Sequence, residues 1–202
     1  MASTASPYGF RAVNELGGLP YAGSTRTFLI DPAGYNTNIF NGSIVRINTS
    51  GYINIVTTNG DDSTPFPAGT IGVFVGCSFV NAQGQTMYSQ YYPANTTGVV
   101  EAYVIDDDRA VFQAQADGSL TQAALGSNIY LAAVQSTSTG STTTGNSNTA
   151  LDASTAAATS GFAFRIVGFA NVPGFSQVGD AYTDVLVKFN PGAHSYSNAT
   201  GI

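Results

Sequence analysis

The side chains of this 202-residue chain that could do chemistry fall into a few groups. The acidic triplet Asp106, Asp107 and Asp108 is the densest run of charge, and Asp61 with Asp62 repeats it on a smaller scale. Neighbouring carboxylates can bind Ca²⁺ together with backbone carbonyls, but the spaced ligands and glycine of an EF-hand loop are absent from both sites. Each pair or triplet stands where one apolar run must turn into the next, so solvated turns are expected. Polysaccharide hydrolysis needs one carboxyl group as acid and a second as base or nucleophile. No Trp occurs, and no Asp or Glu lies in an aromatic-rich stretch that would line a sugar cleft. His194 is the sole histidine and sits near the chain end, outside any apolar run, where an exposed or interface position is expected. A zinc site would take several His or Cys ligands, and the chain offers one of each, far apart. Cys77 lies within the apolar run Ile71–Phe79 and reads as a small buried hydrophobe. No GxSxG elbow, P-loop or dinucleotide fingerprint occurs among the 23 glycines. The expectation is a protein with no catalytic residue, no cofactor and no metal.

Composition narrows the partners. Charged residues make up 9% of the chain, against about 25% in an ordinary soluble protein. Twelve acidic residues face six basic ones, for a net charge of −6. Such a chain has no cationic field to attract phosphates, so nucleic-acid binding is disfavoured. Nowhere do eighteen apolar residues run together, and the first ten residues lack the basic start and apolar core of a secretory signal. Neither membrane insertion nor export by that route is expected. A lone cysteine fits synthesis in a reducing cytoplasm.

The elements that must position these groups are strands. Short β-branched and aromatic runs bounded by Gly, Pro, Asn and Asp predict ten: Arg26–Ile30, Ser43–Ile47, Tyr52–Thr57, Thr70–Val80, Thr86–Tyr91, Val99–Ile105, Ala110–Ala116, Asn128–Ala133, Gly161–Ala170 and Asp184–Asn190. Ser43–Ile47 and Gly161–Val167 alternate bulky and small or polar residues, which predicts cover on one face. The best helical stretch, Ser119–Leu125, is hardly more than one or two turns. The fold class is mainly β, with a β-barrel or β-sandwich core, an extended N-terminal arm and a long Ser/Thr-rich loop.

Residues 1–25 are the arm and residues 26–202 a single β-rich domain. In the arm, Pro and Gly interrupt the isolated anchors Tyr8, Phe10, Leu16, Leu19 and Tyr21 too often for a regular strand or helix. Aromatic anchors on a free arm suggest docking on a neighbour, since leaving them in water forfeits about 1.5 to 3 kcal/mol each. The contrasting arrangement folds the arm back on its own barrel. The stretch from Ser136 to Thr149 holds nothing large to bury and reads as a long exposed loop, either a solvated connector or one reaching a symmetry mate or host surface.

Several segments together carry a resemblance. Pro7–Val13 followed by Gly17 and Gly18 comes first, then Ile71–Phe79, Tyr88–Pro93, Ala102–Asp107 and Val111–Ala114, and finally Arg165–Gly168, Gly179–Asn190 and His194–Tyr196. In this order they resemble a family of head-associated structural proteins of tailed bacteriophages, the cement or decoration proteins of the capsid. The resemblance implies a non-enzymatic β-barrel homotrimer, made in the host cytoplasm and seated on the outer capsid surface at capsomer junctions. Its partner would be the major capsid protein, and the arm is the expected contact surface, with Tyr8, Phe10 and Leu16 as apolar anchors and Arg11 as the partner of a capsid carboxylate. On this view a chain lacking residues 1–20 stays folded and no longer binds heads. Two other roles fit a β-rich chain: a carbohydrate-binding head fibre or adhesion module making weak contacts with host-surface glycans, with Tyr88, Tyr91 and Tyr92 as the densest ring set, or the major capsid subunit. The latter would ordinarily need a larger mixed α/β chain.

Overall fold

The computed structural model describes residues 3–202. Among these residues thirteen strands run in chain order: β1 (Arg11–Glu15), β2 (Arg26–Ile30), β3 (Ile39–Phe40), β4 (Ile44–Ile47), β5 (Ile53–Ile55), β6 (Thr70–Val80), β7 (Thr86–Ser89), β8 (Tyr91–Tyr92), β9 (Val100–Ile105), β10 (Ala110–Gln115), β11 (Asn128–Ile129), β12 (Phe164–Phe169) and β13 (Asp184–Phe189). The protein is mainly β, and helical structure among the described residues is limited to single 3₁₀ turns. One of these, Gln122–Ala124, falls within the expected helical stretch.

Two antiparallel sheets form a sandwich-like body. The first has the order β1-β10-β13-β12-β11. The second has the order β2-β9-β6-β4-β5, with β7 added to the far end of β6, and a two-stranded ribbon joins β3 to β8. Between the sheets lies one apolar core. Phe112, Phe164, Ile166, Val185, Val187 and Phe189 come from the first sheet, and Ile44, Val73 and Ile105 from the second. In β13 the alternation is strict: Val185, Val187 and Phe189 point in, while the residues between them are partly open.

The second sheet is covered twice. It curls until β2 and β5, at opposite ends of its order, approach each other. Inside the curl lies a second core of Ile30, Ile39, Val45, Ile53, Ile55, Ile71, Phe74, Tyr92 and Val104. Strand β4 therefore sends Ile44 into one core and Val45 into the other, which corrects the one-sided cover expected for Ser43–Ile47. An internal strand of a stacked arrangement is buried on both faces, and alternation no longer marks one of them as wet. The curl needs bulges. Register shifts between Phe74 and Gly76 where β6 meets β9, and a side chain at Gly72 (φ 145°) would collide with the carbonyl of Ile105.

The N-terminal segment is corrected in part. It runs without regular secondary structure from Ser3 to Phe10, and it lies along its own body: the Ser6 amide donates to Gln115 Oε1 (2.8 Å), and the Phe10 amide donates to the Gly42 carbonyl (3.0 Å). Arg11–Glu15 then pairs with β10 as a regular edge strand with one bulge. Met1 and Ala2 of the expected arm lie outside the described residues. The Ser/Thr-rich loop is long and largely exposed, yet it does not stand away from the body. The Asn41 amide donates to the Gly145 carbonyl (2.9 Å), and the Ser147 amide donates to the Asn41 carbonyl (2.8 Å). Ser147 and Thr149 are buried, and Gly140 lies so close on the Phe40 ring that any side chain there would clash.

Candidate interaction surfaces

The residues with reactive side chains are built into the scaffold. Asp106 is buried, and its Oδ2 accepts from Arg26 Nη1 (2.8 Å) and from the Tyr196 hydroxyl (2.8 Å). Asp107 Oδ1 accepts from the Arg109 amide (2.8 Å), and Asp108 Oδ2 accepts from the Ser197 hydroxyl (2.8 Å). The triplet thus turns the chain at Asp107, while Asp106 and Asp108 fasten the C-terminal tail. A purely solvated turn is corrected at Asp106, because its Oδ2 takes a guanidinium and a phenol in place of water. Asp61 forms a local turn, its Oδ1 accepting from the amides of Thr64 (2.5 Å) and Ser63 (2.9 Å), and these bonds hold its carboxyl below the usual range. Among the described residues no three His, Cys, Asp or Glu side chains are grouped to hold a metal ion.

His194 is buried, against the exposed or interface position expected. Its Nδ1 accepts from the Tyr196 amide (3.2 Å), so Nε2 carries the proton and donates to the Ile71 carbonyl (2.9 Å). Burial lowers its pKa and keeps the ring neutral between Phe189 and Tyr196. Cys77 is buried in the second core as expected, and burial pushes its thiol up to about 12.

The four expected contact residues separate. Phe10 is 1% exposed, stacked on Phe164 (centroids 4.9 Å) and edge-on to Phe112 (6.5 Å). It is a core residue and has no surface to offer a partner. Tyr8 is half-buried beneath the Arg11 guanidinium, 4.6 Å from the ring centroid. Burial and the Asp184 carboxylate raise the Tyr8 phenol well above its usual value. Leu16 is exposed in the turn after β1, close in sequence to exposed Val13 and Leu19. The tyrosine set also divides. Tyr92 is buried with its hydroxyl bonded to the Tyr35 backbone, Tyr91 stacks on Phe40 (5.6 Å), and Tyr88 stands free.

A surface not signalled by any motif lies on the end of the second sheet that extends past the first. Register places Leu29, Glu101, Ser78 and Tyr88 in one row across β2, β9, β6 and β7. Two residues further along β6 and two residues back from Glu101, Val80 and Val99 continue the same face by strand alternation. Leu29 (46%), Val80 (56%), Val99 (67%) and Tyr88 (77%) are all open to solvent, while the opposite face carries buried Cys77, Val100 and Ala102. From Ser63 to Val100 the sequence contains no Asp, Glu, Lys or Arg, so Glu101 is the one charge in the row. Val80 and Val99 sit at strand ends, and their outward direction depends on which face the core takes.

No protein-family model, curated protein or solved structure matches the chain.

Proposed function

We propose that this chain is a structural protein of a tailed-bacteriophage head, one that binds the outside of the assembled shell as a cement or decoration subunit and catalyses no reaction. The observation that supports this reading best is the uncovered apolar face of Leu29, Val80, Val99 and Tyr88, on a sheet whose central strand β6 is largely buried. Apolar side chains gathered on one open face mark a contact surface. Burial of three aliphatic side chains and one tyrosine is worth several kcal/mol at about 25 cal/mol per Å². The sequence resemblance supplies the partner: the major capsid protein, met at capsomer junctions. Binding only the assembled lattice stabilises that lattice by linkage, so a shell loaded by packaged DNA is strengthened with no chemistry. A homotrimer presents three such faces on one body, and weak contacts then add through effective concentration. The contact thus moves from the N-terminal segment, whose aromatic anchor is in the core, to the open sheet face.

Heads prepared with and without the protein test this by electron microscopy and co-sedimentation. Extra density at local threefold positions is expected with the protein present. The double variant Val80→Asp with Val99→Asp is expected to keep its melting temperature within a few degrees and to stop co-sedimenting. Undiminished binding by that variant would remove the face from the proposal, and wild-type protein that neither occurs in virions nor binds heads would remove the function.

A further inference from the structure

We infer that a groove crossing from the N-terminal segment to the Ser/Thr-rich loop is a binding site for an acidic glycan. Two hollows, of about 400 and about 450 Å³, meet at Arg11 and Asn146, which line both. Tyr8 lies in the first, and Tyr21, Asn41 and Gln90 lie in the second. Among the described residues no Asp or Glu lines either hollow.

The side chains suit a sugar. Asn41, Gln90 and Asn146 make no side-chain hydrogen bond among the described residues, so each presents one acceptor and two donors to the groove. Vicinal sugar hydroxyls need that combination, because each both donates and accepts. Asn41 and Asn146 are held side by side by a parallel backbone bridge, so the spacing between them is set before any ligand arrives. Arg11 supplies the acidic preference. Among the described residues its guanidinium has no carboxylate partner, and it rests on the Tyr8 ring, whereas Arg26 is paired with Asp106. A planar fork fixed on an aromatic face is suited to bidentate recognition of a carboxylate. At the far end burial and the nearby Asp107, Asp106 and Glu15 carboxylates raise the Tyr21 phenol, so a neutral sugar ring suits that end and the carboxylated one the Arg11 end. The net charge of −6 is no obstacle at physiological salt, where exposed charges beyond about 8 Å are screened.

The groove lies on residues distinct from the sheet face assigned above to the capsid, so either assignment can fail alone. The test is calorimetric titration of the full chain with 3′-sialyllactose and tetragalacturonate, beside lactose and maltotetraose as neutral counterparts and a hexaglutamate peptide. Saturable binding of at least one acidic saccharide is expected, at least tenfold tighter than its neutral counterpart. Arg11→Gln should lose at least tenfold in affinity and Arg11→Lys less, while Asn146→Ala weakens acidic and neutral sugars alike, all at unchanged melting temperature. Failure of both acidic saccharides to bind at millimolar concentration, affinity unaffected by Arg11→Gln, or preferential binding of the peptide would each overturn the proposal.

Discussion

Phe10 shows how far a single ring can be from its apparent role. Surrounded by Gly9 and Arg11 in a broken stretch of sequence, it is nonetheless enclosed by Phe112 and Phe164 between the sheets. Phe10→Ala should cost about 3 to 5 kcal/mol, measured by urea denaturation, because it leaves a ring-sized cavity in a close-packed core. A chain lacking residues 1–20 is accordingly expected to unfold or aggregate, which replaces the expectation of a folded remnant. His194 makes a prediction with a sign. Its folded pKa lies below the ordinary 6.5, so the unfolded chain takes up the proton first as pH falls. The contribution of the neutral ring is complete above 6.5 and declines as pH drops from there toward the lowered folded value. In melting curves between about pH 7.5 and 5, the advantage of wild type over His194→Asn should shrink; a constant difference would mean the ring is not held neutral. Cys77, with its thiol raised to about 12, should react with a thiol reagent only after unfolding.

Among the elements, β4 depends on a side chain from the Ser/Thr-rich region's leading edge. Gln135 is buried: its Oε1 accepts from the Ile44 amide (2.9 Å), and its Nε2 donates to the carbonyls of Ile44 (3.1 Å) and Val56 (3.1 Å). The amide is inserted between Ile44 and Val56, where the Val56 amide still donates to the Ile44 carbonyl (3.0 Å) but the reciprocal backbone bond is replaced by the Gln135 side chain. Gln135→Leu keeps the volume and removes these bonds, so it should cost about 1 to 3 kcal/mol for each backbone group left unpaired, read from denaturation midpoints. An apolar replacement that left stability unchanged would mean water reaches those groups. The same logic explains the tail. Asp106, Arg26 and Tyr196 close a triangle that fastens the last residues to the turn after β9.

At the scale of the whole molecule, charge is sparse and its absence is concentrated. The uncharged run from Ser63 to Val100 supplies β6, β7 and β8, and with Val99 much of the open face. A partner docked there should be held chiefly by apolar burial. Head binding is therefore expected to change by less than about threefold between about 0.05 and 0.5 M salt, whereas an ion-paired contact would weaken as the screening length shortens. A steep salt dependence in co-sedimentation would assign the contact to charged side chains elsewhere.

The β class, most strand positions and the burial of Cys77 follow from the amino-acid sequence alone, because strand runs and turn residues act within a few positions of each other. Asp61 and Asp62 were legible as a turn for the same reason. Other features depended on separations too long for local pattern. The strand at Arg11–Glu15 exists because β10 offers it an edge. The two-sided burial of β4 exists because the second sheet curls and takes a core on each side. Asn41, Gln90 and Asn146 carry no motif, and only the packing of the N-terminal segment and of the loop about Asn41 and Gly42 brings them to Arg11. Val80 and Val99 read as ordinary strand valines, and the tertiary structure alone decided that the first sheet ends before covering them. Local chemistry chooses strands and turns, but which faces meet is settled by packing among segments far apart in the chain.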